Sequence, residues 1–184
     1  VINFALFWPR LLVRQACSQS GSLPAAKTGA KITDDPYSQP VLMGIFRKDI
    51  TLEAINNLSR NTMAEQIGIE FTVIGDDFLE ATMPVDSRTQ QPFGLLHGGA
   101  SVALAETLGS VAATCCVDPE KQFCVGLEIN ANHLKGARTG KVKGTTKPIH
   151  IGKKTQVWEI RIVNQQEELV CISRITMAVL DKNQ

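Results

Sequence analysis

An α+β fold, with long antiparallel strands laid around one apolar helix, follows from three features of the sequence. Residues 100–116 are rich in alanine and other small or apolar residues, and Glu106 is the only formally charged side chain between Arg88 and Asp118. Four later segments, residues 123–134, 140–149, 155–163 and 169–180, carry strand-like patterning. The joints between them are short and hold Gly136, Gly140, Gly152 and the run Asn164-Gln165-Gln166-Glu167. Joints of that length suit antiparallel neighbours rather than crossover helices.

Taken in order, residues 1–42 differ from the rest. Residues 1–13 are mostly apolar, serine, glycine, proline and lysine follow, and no acidic residue occurs before Asp34. Arg10, Arg14 and the serines at 18–22 have the flavour of a targeting peptide. Pro9 and Arg10 break the apolar run, so it is too short to span a membrane. An over-extended start is the favoured reading, because globular patterning begins near Met43; the expected domain is residues 43–184. Apolar residues at helical spacing from Ile50 to Leu58, with Thr51 as N-cap, predict a short helix. Residues 68–74 and 78–85, split by Gly75-Asp76-Asp77, predict a hairpin. A polar loop, residues 86–94, leads into the long helix, which Asp118-Pro119 is expected to stop.

Size and composition bound the function. The chain has 184 residues, 43% hydrophobic and 20% charged, enough for one domain plus some excess. Nineteen Lys and Arg against 18 Asp and Glu leave a net charge of +1, which gives no field to gather nucleic acid. The five cysteines form no metal-binding spacing, and Cys115 and Cys116 read as packing residues. A reducing, cytoplasmic setting without metal, redox cofactor or membrane anchor is the expectation.

The chemistry concentrates where the loop meets the helix. A carboxylate on an apolar, small-residue helix is costly to bury unless it is bound or used. Gly98 and Gly99 leave the backbone open, and N–H groups at a helix start favour developing negative charge. An oxyanion site beside a carboxylate base is the inference.

Four pieces carry a resemblance: residues 83–89 (MPVDSRT), 91–101 (QPFGLLHGGAS), 104–106 (LAE) and 126–133 (GLEINANH). In this order and spacing they resemble the hotdog-fold acyl-CoA thioesterases, in the bacterial branch acting on aromatic acyl-CoA esters. The similarity covers residues 43–180. It implies a curved sheet around the long helix, and dimers or dimers of dimers with active sites between protomers. It implies hydrolysis of aryl-CoA or acyl-CoA thioesters, with 1,4-dihydroxy-2-naphthoyl-CoA of the menaquinone pathway as the best single substrate. An aryl thioester on a carrier protein, as in enterobactin proofreading, is the alternative. A hydratase and a non-catalytic acyl-CoA-binding module are rival classes; residues 1–42 hold no DNA-binding pattern for the latter.

By the same resemblance Glu106 is the catalytic carboxylate, as base or nucleophile, facing Gln91, His97 and Gly98 of the opposite protomer. The Gly98 N–H polarises the thioester carbonyl with Gly99 beside it. Gln91 sits near the nucleophile or leaving group, and His97 holds the local geometry. Ser110 corresponds to a contact with the acyl group or the water, His133 to one near the CoA nucleotide. Lys135 stands where relatives often carry Arg, toward a phosphate. Each has a plainer reading: an ion pair at a dimer seam for Glu106, a loop cap for His97, helix packing for Ser110, solvated strand-end residues for His133 and Lys135. Glu128, Lys141, Lys143, Lys153 and Lys154 read as solvated faces.

Overall fold

The computed structural model describes residues 44–182, so the expectations for residues 1–42, Cys17 among them, lie outside the described residues. Helix α1 (Leu52–Leu58) begins at Thr51, whose hydroxyl accepts the Ala54 N–H at 3.1 Å, as the sequence predicts. Helix α2 (Met63–Gln66) is a single turn with no counterpart among the expected elements. Strands β1 (Glu70–Ile74) and β2 (Leu79–Pro84) form the expected hairpin. Helix α3 (Gly98–Cys115) is followed by β3 (Gln122–His133), β4 (Lys141–Ile151), β5 (Thr155–Val163) and β6 (Leu169–Asp181).

Among the described residues the six strands form one antiparallel sheet in the order β1-β2-β4-β5-β6-β3, with β1 and β3 at its edges. Helix α3 packs on the sheet through Ser101, Leu104, Ala105, Leu108, Gly109, Ala112 and Ala113, a spacing of three and four that keeps one stripe inward. This is the hotdog arrangement of one long helix in a curved sheet. The helix ends at Cys115, three residues before the expected stop at Asp118. Cys116 caps it through its N–H to Ala113 O at 3.2 Å, and the Val117 N–H donates to Thr114 O at 3.4 Å.

Small residues let helix and sheet approach closely. A Cβ on Gly109 would stand 2.4 Å from Ile175 Cγ2 of β6, and one on Gly144 of β4 would stand 2.5 Å from Leu108 Cδ1. Overpacking such a seam costs about 1–3 kcal/mol, against up to about 1 kcal/mol gained in helix propensity. Gly109→Ala is therefore expected to lower stability by roughly 1–2 kcal/mol, read from urea denaturation midpoints.

Helix α1 is tied to the β1 edge by Asn56. Its amide donates to Phe71 O at 3.0 Å and accepts the Phe71 N–H at 2.9 Å. That paired bond sits beside the register shift between Phe71 and Val73, where the ladder is interrupted. The turn before α1 is pinned by Phe46, stacked on the fully buried Trp158 with centroids 6.3 Å apart.

Candidate active site

The loop entering α3 is built from tertiary hydrogen bonds. The buried Thr89 hydroxyl donates to Pro84 O at 2.7 Å, and Thr89 O accepts the His97 N–H at 2.8 Å. The Leu96 N–H donates to Ala137 O at 2.7 Å, fastening the loop to the segment between β3 and β4. Gly94 turns the loop tip with φ +71°, a conformation that favours glycine. Gln91 Oε1 accepts the Phe93 N–H at 2.6 Å, so its amide oxygen is engaged while its NH2 donates to nothing among the described residues.

His97 is the N-cap of α3, and its Nδ1 accepts the Gly99 N–H at 2.8 Å. As an acceptor Nδ1 carries no proton, so the neutral ring is the Nε2–H tautomer. Since Gly99 is occupied by the cap, the Gly98 N–H is left as the donor at the helix start without an acceptor among the described residues. His97→Ala is expected to cost about 1 kcal/mol through the lost cap, while His97→Asn retains most of it. Thermal melts of both variants check this.

The structure brings Gln91, Gly98, His133 and Lys135 to one open cleft of about 320 Å³, with Leu95 and Ser101 also in its lining. His133, at the end of β3, lies against the helix start: a Cβ on Gly98 would stand 2.8 Å from His133 Nε2. Gly98 thus combines an open N–H with room for an imidazole. Lys135 is engaged by Glu168, whose carboxyl is held below the usual carboxylate range by Lys135 and then by Asn164.

Glu106 and Ser110 lie elsewhere. Glu106 is eight residues along α3 from Gly98, about 12 Å by helix rise, so one protomer does not bring its own carboxylate to its own Gly98. Glu106 is half-buried, and its Oε1 accepts from Ser110 Oγ at 3.1 Å. Ser110 Oγ also lies 3.9 Å from Met177 Sδ. The carboxylate rests against β3 at Gly126, where a Cβ would stand 2.8 Å from Glu106 Oε1. Gly126 belongs to the GLEINANH segment, whose order and spacing assign it no role. A glycine inside a strand-forming run was the available signal.

Cys115 and Cys116 are chemically quiet. Burial pushes the Cys115 thiol up to about 11 and the Cys116 thiol up to about 12, so neither supplies a thiolate near neutral pH. Among the described residues, no group of three His, Cys, Asp or Glu could hold a metal ion, and no helix is long and apolar enough to cross a membrane.

Comparison with known proteins gives a consistent picture. A model of the thioesterase superfamily matches residues 93–171. The 1,4-dihydroxy-2-naphthoyl-CoA hydrolase of Escherichia coli (strain K12) is 56% identical over 136 residues, which cover 74% of this chain and 99% of that protein. The proofreading thioesterase EntH of Cronobacter turicensis is 52% identical over 136 residues, 74% of this chain and 98% of that one. Among solved structures, a mutant of thioesterase PA1618 from Pseudomonas aeruginosa superposes with TM-score 0.74 at 49% identity, covering 75% of this chain and 99% of that one.

Proposed function

The chain belongs to the thioesterase superfamily, and we propose that it hydrolyses aryl-CoA thioesters, with 1,4-dihydroxy-2-naphthoyl-CoA as the preferred substrate. That it is a thioester hydrolase rests on the family; the substrate is carried over from the relative that is 56% identical. The observation that carries the mechanism is the Gly98 N–H at the start of α3, unpaired among the described residues and in one cleft with Gln91.

In this reading the thioester carbonyl oxygen accepts from the Gly98 N–H, and the fixed donor stabilises the negative charge that grows during attack. Glu106 of a second protomer takes a proton from water, whose oxygen adds to the carbonyl carbon. The C–S bond then breaks, the acid is released, and the departing sulfur is protonated to the free thiol. Attack by the carboxylate itself, through a mixed anhydride later opened by water, gives the same products. The Gln91 NH2 is free to meet the nucleophile or leaving group. His133 and Lys135 line the same cleft toward the CoA portion.

A homodimer, itself able to pair into a tetramer, completes the site in this reading. Support comes from β3, an edge strand that exposes Phe123, Val125 and Leu127 and borders the Glu106 carboxylate. The catalytic domain is residues 43–184 with residues 1–42 outside it, and the setting is cytoplasmic. The EntH relative supports a second donor, an aryl thioester on a carrier protein.

Thiol release from hydroxyaryl-CoA, straight-chain acyl-CoA and aryl-carrier thioesters tests the substrate. The expected order places hydroxyaryl-CoA first in kcat/KM. Fastest turnover of the carrier-bound thioester would move the assignment to proofreading, and no release from any donor would remove it.

A further inference from the structure

A second cavity, of about 280 Å³, lies under α1 along the C-terminal half of α3. Its walls are apolar, with Ile50, Ile55, Leu58 and Val111 among them, and Ser110 stands at its edge. Through the Ser110 hydroxyl the chamber adjoins the Glu106 carboxylate. Pockets that hold whole drug-sized ligands run from roughly 300 to 1,000 Å³. This chamber fits an acyl group without its nucleotide carrier.

Two charged side chains, Arg47 and Asp49, line it. Arg47 Nε lies 3.5 Å from Asp49 Oδ1, yet Nε is buried and makes no hydrogen bond among the described residues. The Arg47 backbone is held in place, since its N–H donates to Cys115 O at 3.1 Å and its neighbour Phe46 stacks on Trp158. A cation at the C-terminus of α3 is favoured by the helix dipole, which accounts for the charge. It does not account for a buried donor left without an acceptor in an apolar chamber, since such donors are costly and rare.

We propose that this chamber receives the acyl part of the thioester and that Arg47 donates to a hydroxyl or phenolate oxygen on its ring. Asp49 accepts from the same or a neighbouring hydroxyl, and the pair selects hydroxylated aryl groups over unsubstituted ones. The inference rests on Glu106 as the thioesterase carboxylate, because that residue brings the chamber next to the reacting carbon. A guanidinium fork beside an apolar wall suits a planar hydroxyaryl ring, where an ammonium group would bind less directionally.

The test uses the full chain and two thioesters that differ by one ring hydroxyl, hydroxynaphthoyl-CoA and naphthoyl-CoA. Fluorescence titrations with free hydroxynaphthoate and naphthoate run beside them. Arg47→Met keeps the apolar stem and removes the fork; Arg47→Lys keeps the charge. The ratio of kcat/KM for the hydroxylated over the plain ester is expected to fall roughly 10- to 100-fold in Arg47→Met and by less in Arg47→Lys. Binding of hydroxynaphthoate is expected to weaken in parallel. Asp49→Asn, at an exposed position, carries the same test from the acceptor side if Arg47→Met does not fold. An unchanged ratio, or equal loss on both esters, overturns the inference while turnover itself upholds the thioesterase reading. Inert thioesters with Arg47-dependent binding of hydroxynaphthoate would leave the chamber assignment standing and remove the thioesterase reading. Inert thioesters without such binding would remove both.

Discussion

Glu106→Gln is expected to leave a folded protein that releases thiol about 10²- to 10⁴-fold more slowly than the wild type, the range that a positioned acid or base contributes. The substitution keeps the shape of the side chain and an oxygen that can accept from Ser110. It also keeps the clearance over Gly126, where the carboxylate lies against β3. Because Glu106 is half-buried and forms no ion pair among the described residues, losing its charge strands no cation. Stability is therefore expected to change little, and a melting temperature close to wild type separates a chemical defect from a folding one. The loss should appear in kcat, since the interaction is made with the attacking group rather than with the bound ester. A single turnover in ¹⁸O-water tests the anhydride route: label in the Glu106 side chain marks an anhydride that water opens at the glutamyl carbon, whereas general base catalysis and opening at the acyl carbon both place the label in the released acid. Unimpaired kcat in Glu106→Gln would remove this residue from the chemistry.

The elements that carry local periodicity were legible in the sequence. Helix α3, the hairpin of β1 and β2, and the four later strands lie within a few residues of where patterning puts them. Helix α2 was not, because four residues hold barely one turn and no period can be read from them. The isolation of Glu106 and the glycines at 98 and 99 were likewise visible, since they are statements about residue type in a row. What composition could not carry were contacts between distant segments. Leu96 meets Ala137, His133 reaches Gly98, and Gly126 clears the Glu106 carboxylate, each pairing set by the sheet and not by neighbours in sequence. The bulge between Gly126 and Glu128 shows the same limit: Gly126 pairs with Met177 and Glu128 with Thr176, so Leu127 has no facing residue on β6, and no local pattern marks the skip. Arg47 went unnoticed because its orphaned Nε exists only once α1 and α3 enclose it.

The role given to Gly98 rests on its N–H, which the comparison of two substitutions isolates. Gly98→Pro removes that proton at the first helical position, where proline is otherwise well tolerated. The preceding residue already has the conformation proline requires, with His97 at φ −69° and ψ 133°. Proline also brings a Cβ, which would stand 2.8 Å from His133 Nε2, so some loss follows from crowding alone. Gly98→Ala brings the same Cβ and keeps the N–H. The ratio of the two variants then reports the hydrogen bond with the steric term largely cancelled. Gly98→Pro is expected to fall a further 10²- to 10³-fold below Gly98→Ala in kcat, about the effect of deleting one oxyanion donor. Repeating both in a His133→Ala background, where the imbedded ring no longer opposes the Cβ, should raise the activity of each while leaving their ratio in place. Equal activities for the alanine and proline variants would assign Gly98 to the packing of His133 alone, and the carbonyl would need another donor.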